Sequence, residues 1–425
     1  MNPSQRSPFS WPSIRIWFVP LALLMLVLAF IVACSNSGDP TNSPGTAPPP
    51  EDVVITIGNL TDLTGVSASA MDKIDKALGD MVKHYNEENL IPGVKLDIET
   101  YDSQFDPSQS IPGYEYLKDR GADLIWAPCP PTALILKPIV NRDEIPMFVA
   151  SSNIDTIMPP QYTFSLGLMS QYEAYTLLKW IAENDWDYKT NGPAKIGGAA
   201  WAEDMSDVQF KAMKEYADAH PEQFEWKGGH LTDFGFDWTI QVEALKDCDY
   251  IYPPVPMHAF VREYSRSGSK AKLIGIDPHA GFLDMIDKAD YWDEIDGMIF
   301  IRGSRWWTEE GKLIDLTREL LYKNHPDEAE DIIRSGVGYL GAAQTYHICN
   351  IIKNAAAKVG PENVDSQAIY EAAISYSEAI DGVERYSFDD TKRFAINYYV
   401  IYEVDGEKRD LFRADEDWIP AVTEP

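Results

Sequence analysis

From Val53 onward, short apolar runs alternate with stretches of helical period, and that alternation confines the chain to a parallel α/β architecture. Val53-Val54-Ile55-Thr56-Ile57-Gly58 reads as a strand, after which Met71, Ile74, Leu78, Met81, Val82 and Tyr85 recur at helical spacing. Leu96-Asp97-Ile98-Glu99, Leu124-Ile125-Trp126-Ala127 and Pro146-Met147-Phe148-Val149-Ala150 read as further strands. Beyond Gly167 a second series begins. Helices predicted over 173–183, 207–219, 239–246 and 257–266 alternate with strands over 194–200, 226–231, 249–252, 271–276 and 297–301. Two long helices over 309–324 and 339–358 follow, with a strand over 397–403 near the end. Parallel strands need helical crossovers that cover both faces of a sheet, and the body is too long for one ordinary core. The expected architecture is α/β, with two doubly wound parallel-sheet lobes.

Ligands of such sheets sit where strands end and helix amino termini converge. The rule directs attention to the segments after Gly58, Ala127, Ala150, Ala200, Tyr252 and Ile276.

The first 33 residues carry Arg6 and Arg15 and no acid, and from Ile16 to Ala33 the chain is almost wholly apolar. The run ends in Ile31-Val32-Ala33-Cys34, which reads as a lipoprotein signal peptide whose cleavage leaves a lipidated Cys34. The competing reading is a plain membrane-spanning anchor, since the run is nearly long enough. Residues 34–52, rich in Ser, Asn, Thr, Gly and Pro, read as a flexible tether. The body is therefore expected in the cell envelope, on the outer face of the cytoplasmic membrane, touching the membrane through lipid alone. A net charge of −31 excludes nucleic acid as a partner, because phosphate binding needs a basic face. Cys129, Cys248 and Cys349 stand far apart, without zinc spacing, and read as buried thiols.

No phosphate loop, paired-histidine metal helix or Gly-x-Ser-x-Gly elbow occurs, so neither metal, cofactor nor catalysis is expected. Gly336-Val337-Gly338-Tyr339-Leu340-Gly341 matches a dinucleotide fingerprint in letters but follows a helical stretch rather than a strand. The histidines are scattered singly and are expected at the surface or behind the ligand contacts. Trp306-Trp307 reads as packing at a crossover, or as a contact for a partner protein.

The loops, taken in order, resemble the type I periplasmic binding proteins of the leucine/isoleucine/valine-binding family. The resemblance rests on Ile57-Gly58-Asn59-Leu60-Thr61-Asp62-Leu63-Thr64-Gly65, Tyr101-Asp102-Ser103-Gln104-Phe105-Asp106-Pro107, Gly121 to Pro128, Ile145 to Asn153 and Gly275-Ile276-Asp277. It implies three crossovers acting as a hinge, with 53–165 and 305–380 in lobe 1 and 166–304 and 381–425 in lobe 2. It further implies ligand contacts from Thr64, Ser151, Ser152, Asn153, Trp201, Met205 and Asp277, the last facing an ammonium. Where the family presents a serine, this chain has Pro131, so that role passes to Thr132 or is lost.

Each of these has a plainer reading. Asp277 could cap the segment at Pro278, Thr132 the helix after it, and Ser151 to Asn153 could simply form a turn. Trp201 could be core. The expected function is a monomeric ABC importer's substrate-binding lipoprotein, which closes around a small polar solute and passes it to permease subunits. An amino acid, an amide or an aromatic acid would fit. A sensing component with the same fold is the alternative, and a secreted enzyme would need a catalytic set the sequence lacks.

Overall fold

The computed structural model describes residues 52–425, so the signal, Cys34 and nearly all of the tether lie outside the described residues. The first sheet holds β1 (Val53–Thr61), β2 (Val94–Asp102), β3 (Leu124–Ala127), β4 (Met147–Ser152) and β5 (Thr163–Met169). They lie in the order β2-β1-β3-β4-β5, all parallel. Every residue of β3 is buried, as suits a central parallel strand covered on both faces. Trp126, Phe148 and Phe164 are fully buried, and each such side chain contributes about 1.5–3 kcal/mol through apolar area removed from water.

The second sheet begins with β6 (Ala194–Trp201), β7 (Phe224–Thr232), β8 (Tyr250–Tyr252), β9 (Lys272–Gly275) and β10 (Ile299–Arg302). These run parallel in the order β7-β6-β8-β9-β10. Between the sheets comes a small hairpin of β11 (Ser377–Ile380) and β12 (Val383–Ser387). The chain then returns to the second sheet as β13 (Tyr398–Asp405), antiparallel to β10, with β14 (Asp410–Arg413) and β15 (Ile419–Pro420) paired to β13.

The late helices belong with the first sheet. Helix Ala342–Val359 packs on helix Ala68–Glu87, where the Tyr85 hydroxyl donates to Asn350 Oδ1 at 2.9 Å. Buried Asp80 accepts from Tyr339 at 2.5 Å and pairs with His325 at 2.9 Å. Connections cross between the sheets after β5, after β10 and after β12. At these crossings Ser165 pairs with the 393–395 backbone, and the Tyr386 hydroxyl donates to the Gly303 carbonyl at 2.8 Å. Trp306 and Trp307 are buried here, their indole N–H groups donating to Asp410 and to the Gly336 carbonyl.

The elements read from the sequence are present with shifted ends. Helix 173–183 runs Ser170–Trp180 and continues as a π-helical turn, and β10 extends to Arg302. Strand β5, the β11–β12 hairpin, β14 and β15 were not expected. No helix among the described residues is long and apolar enough to cross a membrane.

Candidate ligand-binding site

Strand order reverses between β1 and β3 in the first sheet and between β6 and β8 in the second. Connections leave such a switch point toward opposite faces, so the loops part and leave a crevice at the strand ends. A cavity of about 270 Å³ lies between the two sheets. The first sheet supplies Ser67, Pro128, Pro130 and Ser151 to its wall, and the second supplies Met205, Asp277 and Pro278. Strand β5 adds Leu166 and Leu168, the crossing segments add Ser304, Tyr386 and Ile396, and the late helices add Leu340, Gln344 and His347. Met71, Ile74, Phe105 and Phe282 complete a wall that is mostly apolar.

Asp277 is the one acid on this wall, and it is not free. Arg302 Nη1 lies 2.5 Å from its Oδ1, while Arg302 Nη2 donates to Ser304 Oγ at 3.2 Å. The Arg302 side chain is 0% exposed and its guanidinium stacks 4.8 Å over Trp306, which fixes the pair in place. Burial raises the Asp277 carboxyl above its usual range, and Arg302 pulls it back. Behind them Glu173 is wholly buried with neither carboxyl oxygen bonded, and burial pushes its pKa well up, with Asp277 adding to the rise. Glu173 does not reach the cavity wall. On the wall, then, Asp277 stands as half of an ion pair with Arg302.

Two histidines were missed as buried groups. His279 anchors the loop after β9: its Nδ1 accepts from the Ile276 N–H at 3.1 Å and its Nε2–H donates to the Pro253 carbonyl at 2.9 Å. His347 is 0% exposed and lines the cavity. Its helix is buried almost all round over Thr345 to Cys349, and that apolar setting was the sequence signal that this histidine faces no solvent.

Residues 54–228 match the family model described as periplasmic binding protein. No match is found among curated proteins. Among solved structures, a branched-chain amino acid ABC transporter protein from Thermus thermophilus with bound valine is similar at TM-score 0.75 and 18% identity, over 87% of this chain and 97% of that one. A solute-binding protein of an ABC transporter from Rhodopseudomonas palustris BisB5, in complex with 3,4-dihydroxybenzoic acid, is similar at TM-score 0.69 and 17% identity, over 88% and 99%. A fatty acid ABC transporter substrate-binding protein from Thermomonospora curvata is similar at TM-score 0.71 and 16% identity, over 88% and 94%. The chain has the type I periplasmic binding fold. The resemblance read from the loops and the α/β class are borne out, and the matched proteins are solute binders rather than enzymes.

Within this binding fold, the residues singled out from the sequence divide sharply. Ser151, Met205 and Asp277 meet on the cavity wall, drawn from both sheets. Thr64 lies exposed and is not part of the wall, its hydroxyl donating to Asp102 Oδ2 at 2.6 Å. Thr132 is buried in the first turn of helix Pro130–Asp143, away from the wall, where Pro128 and Pro130 stand instead. Nor does Thr132 cap that helix, since Cys129 holds the cap position. Ser152 donates to Met169 Sδ at 2.8 Å, and Asn153 caps helix Ile154–Ile157 by accepting from Thr156 N at 2.9 Å. Trp201 packs 4.2 Å from Phe234, with its N–H on the Gly235 carbonyl at 2.8 Å, and is not part of the wall. Cys129, Cys248 and Cys349 are free and buried, and burial pushes the Cys129 thiol up to about 12.

Proposed function

We propose that this chain is the solute-binding lipoprotein of an ABC importer. Lipid on Cys34 holds it outside the cytoplasm, residues 35–52 act as tether, and the body works as a monomer that delivers its solute to permease subunits. In this reading 53–165 with 305–380 form one lobe, 166–304 with 381–425 form the other, and Ser151, Met205 and Asp277 touch the solute.

The observation that carries the reading is a cavity walled by strand-end loops of both sheets at once. A solute there bonds to both sides, and only contacts absent from the open arrangement can draw the lobes together. The similar structures, one holding valine and one 3,4-dihydroxybenzoic acid, support a small organic solute.

A thermal-melt panel of amino acids, amides and carboxylic acids tests the proposal. At least one small solute is expected to raise the melting temperature by mass action, by about 2.7 kcal/mol of stabilisation at a hundred times its dissociation constant. The same solute should reduce the radius of gyration in solution scattering. A panel without any stabilising compound, or binding with no contraction, would count against a closing solute receptor.

A further inference from the structure

A directed chain of hydrogen bonds runs through the late helices and ends on the cavity wall. The Tyr85 hydroxyl donates to Asn350 Oδ1 at 2.9 Å, which leaves the Asn350 amide nitrogen for the Tyr376 hydroxyl it bonds. Tyr376 Oη, accepting from Asn350, turns its own proton to His347 Nδ1, 2.7 Å away. A neutral imidazole that accepts at Nδ1 carries its hydrogen on Nε2. That Nε2 is buried, has no partner among the described residues, and belongs to a ring on the cavity wall. The ring is also clamped, its centroid 4.1 Å from that of Tyr386. Burial, reinforced by the charge of Arg385, pushes the His347 pKa down to about 3, so the neutral form is the working one.

An N–H donor fixed in an apolar wall demands an acceptor, because a buried polar group left unbonded loses its full desolvation energy. Charge then selects the acceptor. Arg385 is 2% exposed, with its Nε and Nη1 unpartnered among the described residues and its guanidinium 4.1 Å over Trp418 and 5.7 Å from the Tyr386 ring. A buried cation behind Tyr386 favours an anionic oxygen at His347. At the opposite wall the charge of Asp277 is already offset by Arg302, whose side chain is 0% exposed, so an ammonium there meets a neutralised acid rather than a free one.

We infer that His347 is a specificity-determining residue, its Nε2–H donating to the carboxylate of a solute with an apolar body and no ammonium group. This rests on the solute-binding reading above and deepens it, moving the preference from amino acids to amine-free carboxylic acids.

Paired ligands test it on the unaltered protein by calorimetric titration and thermal melting: 3-phenylpropanoate against phenylalanine, and 4-methylpentanoate against leucine. Members of each pair differ only in the ammonium. The acids are expected to bind about 100-fold more tightly, the ammonium having no unpaired acid to meet. His347→Phe should weaken the acids by about 10- to 100-fold, the loss of one charge-assisted hydrogen bond, and His347→Gln should recover part of that. Amino acids binding as well as their amine-free partners would overturn the inference, as would 3-phenylpropanamide matching the acid. So would a cooperatively melting His347→Phe protein with unchanged affinity. If the acids fail while another solute binds tightly, this ligand class is wrong and the receptor reading stands. If nothing in a broad panel binds, both are wrong.

Discussion

His279 holds the loop after β9 through two hydrogen bonds that only a neutral ring can make, and this has a consequence for acid stability. Protonating Nδ1 would remove the acceptor that the Ile276 N–H uses, and the ring is fully buried beside Tyr252. Burial lowers its pKa from the ordinary 6.5 to about 4. Between those values the unfolded chain takes up a proton that the folded chain refuses, so the stabilisation is complete above pH 6.5 and is lost as pH falls through about 4. It amounts to about 3 kcal/mol. Urea unfolding of the protein and of His279→Gln, measured from pH 7.5 to 4.5, should show a stability gap that narrows toward acid. Other groups titrate in both proteins and cancel, so a gap independent of pH would refute the assignment.

At the scale of elements, the Gly336–Gly341 segment is instructive. It follows helix Ala329–Ser335, not a strand, and its glycines serve close packing rather than phosphate. Gly336 has φ +102°, and a Cβ there would lie 1.7 Å from the Ala280 carbonyl oxygen, in the loop that carries Asp277. The turn thus packs the late helices directly against the short helix Asp277–Ala280 that follows β9, beside the cavity. Gly336→Ala should destabilise the protein by about 2–4 kcal/mol through backbone strain and overpacking, and weaken solute binding with it. Gly121→Ala provides the control, since its φ is +81° but nothing lies within 4 Å of a Cβ there. Chemical denaturation and titration of the two variants should separate them; equal losses would mean that only the backbone angle matters.

For the whole molecule, capture is useful only if the body stays beside its transporter, and in the proposed function that task falls to Cys34. Cys34→Ala is expected to move the protein from the membrane fraction to the soluble fraction while leaving solute affinity unchanged. Fractionation and titration check both halves of this. Retention of the variant on the membrane would favour an uncleaved apolar anchor instead. The acidic balance of the chain, −31, makes adhesion to anionic lipid a poor substitute for either.

Much of the fold was legible because strand and helix periods are local: β3 has the bounds read from its apolar run, and most other elements differ only at their ends. The switch-point rule also located Ser151, Met205 and Asp277, since strand ends are set by the order of elements along the chain. Which polar groups remain available was beyond such reading. Asn153 is spent on a cap, Asp277 on Arg302 a strand away, and His347 is left with one free N–H by a chain of partners reaching back to Tyr85. By itself the sequence determined the architecture and the place of the cavity, because both follow from periodicity and connection. Only the tertiary structure decided the chemistry of the wall, because a hydrogen bond or ion pair depends on which distant residue arrives within 3 Å.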